Sequence, residues 1–165
     1  MVETANAAAP RGLFDRSTKG LSFAPVTVQI ERDRIRFFAK VLEATDPVHY
    51  DVEAARAKGY PDLVAPPSFF MVIEATANEE LQRKGQVSAI ERVGSDFKYL
   101  LHGDEQYEYH GSLYAGDVVT LTTSVIDFYD KKGGAMEFAT LRSVVEHRDR
   151  GVLIRATRTM LHRFG

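Results

Sequence analysis

Residues 43–81 read EATDPVHYDVEAARAKGYPDLVAPPSFFMVIEATANEEL, a polar turn carrying one histidine that runs into a strongly apolar segment. The segment predicts a helix. Its start falls at Pro66 or Pro67, because a first helical turn tolerates proline, whose missing N–H has no intrahelical partner there anyway. From that start Phe69, Phe70, Met71, Val72, Ile73, Ala75 and Ala77 follow with hardly a polar break. A helix that is apolar on nearly all sides is expected to be buried all round, and this one is too short to span a bilayer. Such a helix wants a curved sheet around it.

The flanking sequence supplies the strands. Upstream, Pro25 to Ile30 alternates as a short strand, and from Glu31 to Glu43 the residues Ile35, Phe38, Ala39 and Leu42 recur at the spacing of a one-sided helix. That helix ends before Pro47. Asp51 reads as the N-cap of a short helix, VEAARAK, stopped at Gly59, where a left-handed residue is wanted. Downstream, Gly85 to Gly94 is linker-like. Asp104 to His110 then alternates, with Tyr107 and Tyr109 on one face. Val118 to Tyr129 is rich in valine and threonine, Lys131 to Gly134 closes a hairpin, and Ala135 to His147 runs back. Asp149-Arg150-Gly151 makes a second hairpin and Val152 to His162 is the last strand. Its apolar face of Val152, Ile154, Ala156 and Met160 is interrupted by Arg158, which points to a sheet edge or a subunit seam. Residues 1–19 read as a flexible N-terminal arm, with Met1 to Pro10 small and polar. Residues 20–165 form one domain of the α+β class.

Composition narrows the function. With 165 residues, 44% hydrophobic and 27% charged, the chain suits one domain with a proper core. The net charge of -2 comes from 21 basic and 23 acidic residues with interspersed signs, which argues against an extended nucleic-acid footprint. The absence of cysteine excludes disulfides, zinc-thiolate sites and a cysteine nucleophile. No HxH or HxxxH pair occurs, so no metal site is assigned, and no cofactor is implied. The N-terminus lacks a basic segment followed by an apolar core, so cytoplasm is the expected location, with no membrane association.

The segments DPVHYDVEAARAKGY, LVAPPSF and HGDEQYEYHGSLYAGD, followed by three long strands, resemble the MaoC-like hydratases and dehydratases. The likeness is greatest to the N-terminal type and to the mycobacterial (3R)-hydroxyacyl-ACP dehydratase subunits, and it extends from about Gly20 onward. The resemblance implies a hot-dog fold, a curved antiparallel sheet wrapped around a long central helix, and pairing of two such units as a homodimer or heterodimer. It also implies reversible hydration of a trans-2-enoyl thioester on CoA or acyl carrier protein. That chemistry needs a carboxylate and an imidazole to grip one water, and preorganised N–H donors for the developing enolate oxygen. Active members of the family carry a DxNPxH turn.

Here His49 and Pro47 match that turn, Asp46 stands where the family has asparagine, and the position five before His49 is Ala44. A methyl group takes no proton, and losing one general base costs on the order of 10² to 10⁴ in rate. The resemblance therefore assigns His49 a catalytic role. Asp46 either assists it or caps the turn through its own backbone. At the helix start Pro66, Ser68 and Phe69 are expected to bind substrate, although the prolines offer no N–H. His102 and His110 flank the second strand and either face a partner's site or lie on the surface. Two readings follow: a hydro-lyase acting on enoyl-CoA or enoyl-ACP, or a non-catalytic acyl-binding subunit paired with a catalytic dehydratase subunit. A hot-dog thioesterase is a third.

Overall fold

Valine- and threonine-rich runs punctuated by glycine turns favour hairpins, and two long ones dominate the computed structural model, which describes residues 12–164. The strands are β1 (Val26–Gln29), β2 (Leu100–Tyr109), β3 (Val118–Lys131), β4 (Met136–His147) and β5 (Gly151–Arg163). All pair antiparallel in one sheet of order β1-β3-β4-β5-β2. The β3–β4 turn places Lys132, Gly133 and Gly134 at φ values of 51, 63 and 91°, which the paired glycines adopt at no steric cost.

The sheet bends where its register slips, between His102 and Asp104, Val125 and Asp127, and Val145 and Glu146. A bulge of this kind sharpens local twist. At the first of them the backbones meet so closely that a Cβ on Gly103 would lie 2.7 Å from the Thr159 carbonyl oxygen. Only glycine fits there.

The helices are α1 (Arg32–Val41), α2 (Val52–Ala57), α3 (Phe70–Arg83) and α4 (Ala89–Arg92). Helix α3 is the central one. Its Phe70, Ile73 and Ala77, with the preceding Phe69, pack into a core shared with Val28, Val119, Leu121, Val145, Ile154 and Ala156 of the sheet. Burying each large apolar side chain in this way contributes about 1.5–3 kcal/mol. A curved sheet around a central helix is the hot-dog architecture expected.

Several expectations change. Helix α3 begins at Phe70 rather than at Pro66 or Pro67, because Ser68 sits at φ 64° and cannot continue a right-handed helix backwards. It is also buried on one side only. The sheet covers Phe70, Ile73 and Ala77, while Met71 remains 37% exposed and Ala75 is exposed. The linker-like stretch contains α4, whose Ser88 and Glu91 form a reciprocal capping box, and Val93 behind it is buried. Arg158 marks neither an edge nor a seam. Strand β5 lies inside the sheet, and the guanidinium, 6% exposed, binds Glu74 of α3 at 2.5 Å and Glu105 of β2 at 2.9 Å. A charge taken from water requires such partners.

Of the stretch expected as an arm, residues 1–11 lie outside the described residues. Residues 12–19 pack on the sheet: Phe14 is buried, and the Leu13 and Phe14 amides donate to Glu137 Oε1 at 2.5 and 3.1 Å. The same oxygen accepts from Nδ1 of the buried His162 at 2.8 Å, while His162 Nε2 accepts from the Asp96 amide at 2.9 Å. The Phe14 ring stacks on His162 with centroids 4.0 Å apart. Glu137 Oε2 has no hydrogen-bond partner among the described residues. Among those residues, no helix is long and apolar enough to cross a membrane.

Candidate active site

Local chemistry builds the histidine turn. The Asp46 side chain accepts from the Val48 amide at 3.1 Å and starts a single 3-10 turn, Pro47–His49, with proline at its first position. Asp51 caps α2 immediately after, accepting from the Glu53 amide at 2.9 Å. Between these two caps the His49 side chain has one orientation, fixed from across the site: Nδ1 lies 2.7 Å from the Val64 carbonyl oxygen. A carbonyl only accepts, so Nδ1 carries the proton, and in the neutral ring Nε2 is left with its lone pair.

Asp46 is not poised as a second base. Both of its oxygens accept from Lys58 Nζ, at 2.9 and 3.0 Å. That ammonium first, then the Val48 amide, holds the carboxyl below its ordinary value. The capping role of Asp46 is thus the one its hydrogen bonds support. Ala44 has its amide on Ala39 O and its carbonyl on the Tyr50 hydroxyl, so the place of the usual aspartate holds only a methyl group. Glu43 beside it is exposed, at φ 53°.

His49, Asp46, Pro66 and Phe69 line one cavity of 490 Å³, with Tyr109 and Ile154 from the sheet. Ser68 adjoins it. Its amide donates to the Tyr109 hydroxyl at 2.9 Å, and its own hydroxyl donates back to the Pro67 carbonyl at 2.6 Å. The Phe69 amide is turned onto the Pro66 carbonyl at 3.2 Å. Neither amide expected to serve an oxyanion is therefore open. Tyr109 is the site residue that the alternating pattern did not reveal: the pattern placed it on a strand face, and only the β2–β5 register brings it over the start of α3.

A second cavity, of 420 Å³, runs beside the other half of α3. Phe23, Val26, Ala77, Leu81, Val87 and Ile90 make it apolar, and Glu74 is its ionisable group. Burial pushes the Glu74 carboxyl up, and Arg158 opposes the shift. His102 lies within β2, half-exposed and 3.5 Å from Glu105; His110 follows β2 and meets Arg155 at 2.7 Å. Neither lines the His49 cavity. Among the described residues no cluster of three or more His, Cys, Asp or Glu side chains could hold a metal.

Comparisons with known proteins bear on what this arrangement serves. A UPF0336 protein of Leifsonia xyli is 36% identical over 127 residues, spanning 76% of this chain and 80% of that one. Among solved structures, the C-terminally truncated HadBC (3R-hydroxyacyl-ACP dehydratase) complex of Mycobacterium tuberculosis superposes with a TM-score of 0.69 at 20% identity, over 87% of this chain and 96% of that one. A MaoC-like dehydratase of Rhodospirillum rubrum gives 0.65 at 19% identity, over 92% and 97%. Residues 17–155 match the family described as FAS1-like, dehydratase domain region, and the chain belongs to that family.

Proposed function

We propose that this chain is the acyl-holding member of a dehydratase-type hot-dog pair that acts on enoyl and (3R)-hydroxyacyl thioesters of CoA or acyl carrier protein. The observation that carries the reading is the composition of the His49 cavity. It holds one imidazole with a free Nε2 and no unengaged carboxylate, since Ala44 replaces the usual aspartate and Asp46 is tied to Lys58. Hydration adds hydroxide to Cβ and a proton to Cα of the enoyl group. One group must take the proton from water while another delivers one, and this cavity supplies a single candidate. The apolar cavity along α3 suits the aliphatic part of an acyl chain. The heteromeric HadBC complex, similar in fold, supports pairing with a second subunit.

The free Nε2 of His49 favours a second reading, in which the chain hydrates short substrates slowly as a homodimer. Hydration of crotonyl-CoA, followed by loss of enoyl absorbance, separates the two. The protein alone is expected to turn over little or not at all, and a dehydratase subunit carrying the full DxNPxH turn is expected to restore the reaction. Full activity of the unaccompanied protein would refute the acyl-holding assignment.

A further inference from the structure

We propose that the phenolic O–H of Tyr109 is the donor this chain presents to the thioester carbonyl, where the Ser68 and Phe69 amides before α3 are already engaged. The inference rests on the acyl-thioester reading above and names a residue that reading leaves unassigned. Three observations converge on it. Pro66 and Pro67 have no N–H, the Phe69 amide is spent on the Pro66 carbonyl, and Ser68 has its amide bonded outside the segment. Its φ of 64° aims that amide at β2, where it meets the Tyr109 oxygen at 2.9 Å. Tyr109 is 51% exposed and lines the same cavity as His49, and its hydroxyl hydrogen has no acceptor among the described residues.

The geometry makes a relay. The Tyr109 oxygen accepts from Ser68, which polarises the O–H and strengthens it as a donor. Tyr107, its ring centroid 5.9 Å away, packs against Tyr109 from the next position on the same strand face. A carbonyl oxygen entering the cavity then meets a preorganised hydroxyl donor, and negative charge developing on that oxygen is stabilised there without movement of the proton off the phenol. The backbone amide acts at one remove.

The alternative role for the same contact is a plug, in which Tyr109 covers the Ser68 amide until substrate pushes it aside. The two roles give opposite signs in Tyr109→Phe. Crotonyl-CoA labelled with carbon-13 at the carbonyl is bound to the wild-type protein and to the variant, and the carbonyl stretch is read by isotope-edited infrared spectroscopy beside the dissociation constant. Loss of one neutral hydrogen bond is expected to weaken binding roughly 2- to 10-fold and to move the stretch to higher frequency, with an unchanged melting curve certifying the fold. An unchanged stretch, or tighter binding by the variant, overturns the relay while leaving the thioester reading intact. If the wild-type protein binds no crotonyl-CoA, the thioester reading fails and takes the relay with it.

Discussion

Replacing Arg158 by methionine probes the interior that joins α3 to the sheet. The substitution keeps an unbranched side chain but removes the cation that holds Glu74 at 2.5 Å and Glu105 at 2.9 Å, two carboxylates only 14% and 12% exposed. Taking one partner out of a buried ion pair costs about 3–5 kcal/mol, because the remaining charge stays uncompensated. For a chain of this length each kcal/mol moves the melting temperature by about 2–4 °C, so a drop of about 6–20 °C is expected at neutral pH. Glu105 retains His102 at 3.5 Å, whereas Glu74 retains no hydrogen-bonded cation, so most of the penalty falls on Glu74.

The pH dependence follows. Burial already raises the Glu74 carboxyl above its ordinary 4.5, and loss of Arg158 raises it further. A carboxyl raised in the folded state destabilises wherever it is ionised, and the penalty disappears as pH falls through the raised value toward the unfolded one. The deficit of Arg158→Met should therefore be greatest at neutral and alkaline pH and shrink on acidification. Adding Glu74→Gln should recover part of it. Thermal melts across this range, followed by circular dichroism, decide the matter. A difference of less than about 2 °C at neutral pH, or a deficit that widens as pH falls, would refute the account.

In the protein alone, His49→Ala is expected to lower any slow hydration by about 10² to 10⁴; the melting curve should move little, since one hydrogen bond to the Val64 carbonyl is lost. Ala44→Asp should raise crotonyl-CoA hydration by the protein alone, by up to about 10² to 10⁴ if the missing carboxylate is the sole defect. Asp46→Asn should leave that hydration unchanged while weakening the turn. Because Lys58 and the Val48 amide depress the Asp46 value below 3.8, the stabilisation it supplies is present above that pH and lost on acidification through the folded value. Melts of the two proteins should accordingly converge under strongly acidic conditions.

What could be read from the sequence was what neighbours in the chain decide. Asp46 and Asp51 cap their turns, Gly59 ends α2 at φ 87°, and the glycine-bearing hairpins join β3 to β4 and β4 to β5, as the spacing predicts. The histidine turn was legible for the same reason. What depends on distant partners was not. The apolar run of α3 says nothing about which side a sheet will cover, and Arg158 reads as the mark of an edge or a seam until Glu74, 84 residues away, comes into contact. Ser68 gives no sign in its neighbours that it will adopt a left-handed φ and delay the helix. The Ser88-to-Glu91 cap was present in the sequence, but Gly85 and Gly94 on either side masked it. Tyr109 reaches Ser68 across 41 residues of chain, so its place in the cavity is a property of register, not of local pattern.

The Glu137–His162 pair sets an order on maturation. Its Oε1 gains two of its donors only when the amides of Leu13 and Phe14 arrive, and those residues are made some 123 positions ahead of Glu137. They cannot settle when they emerge. The segment must wait, with the Phe14 ring unsheltered, until β4 and β5 have paired, so an early stretch completes a sheet whose strands are made long after it.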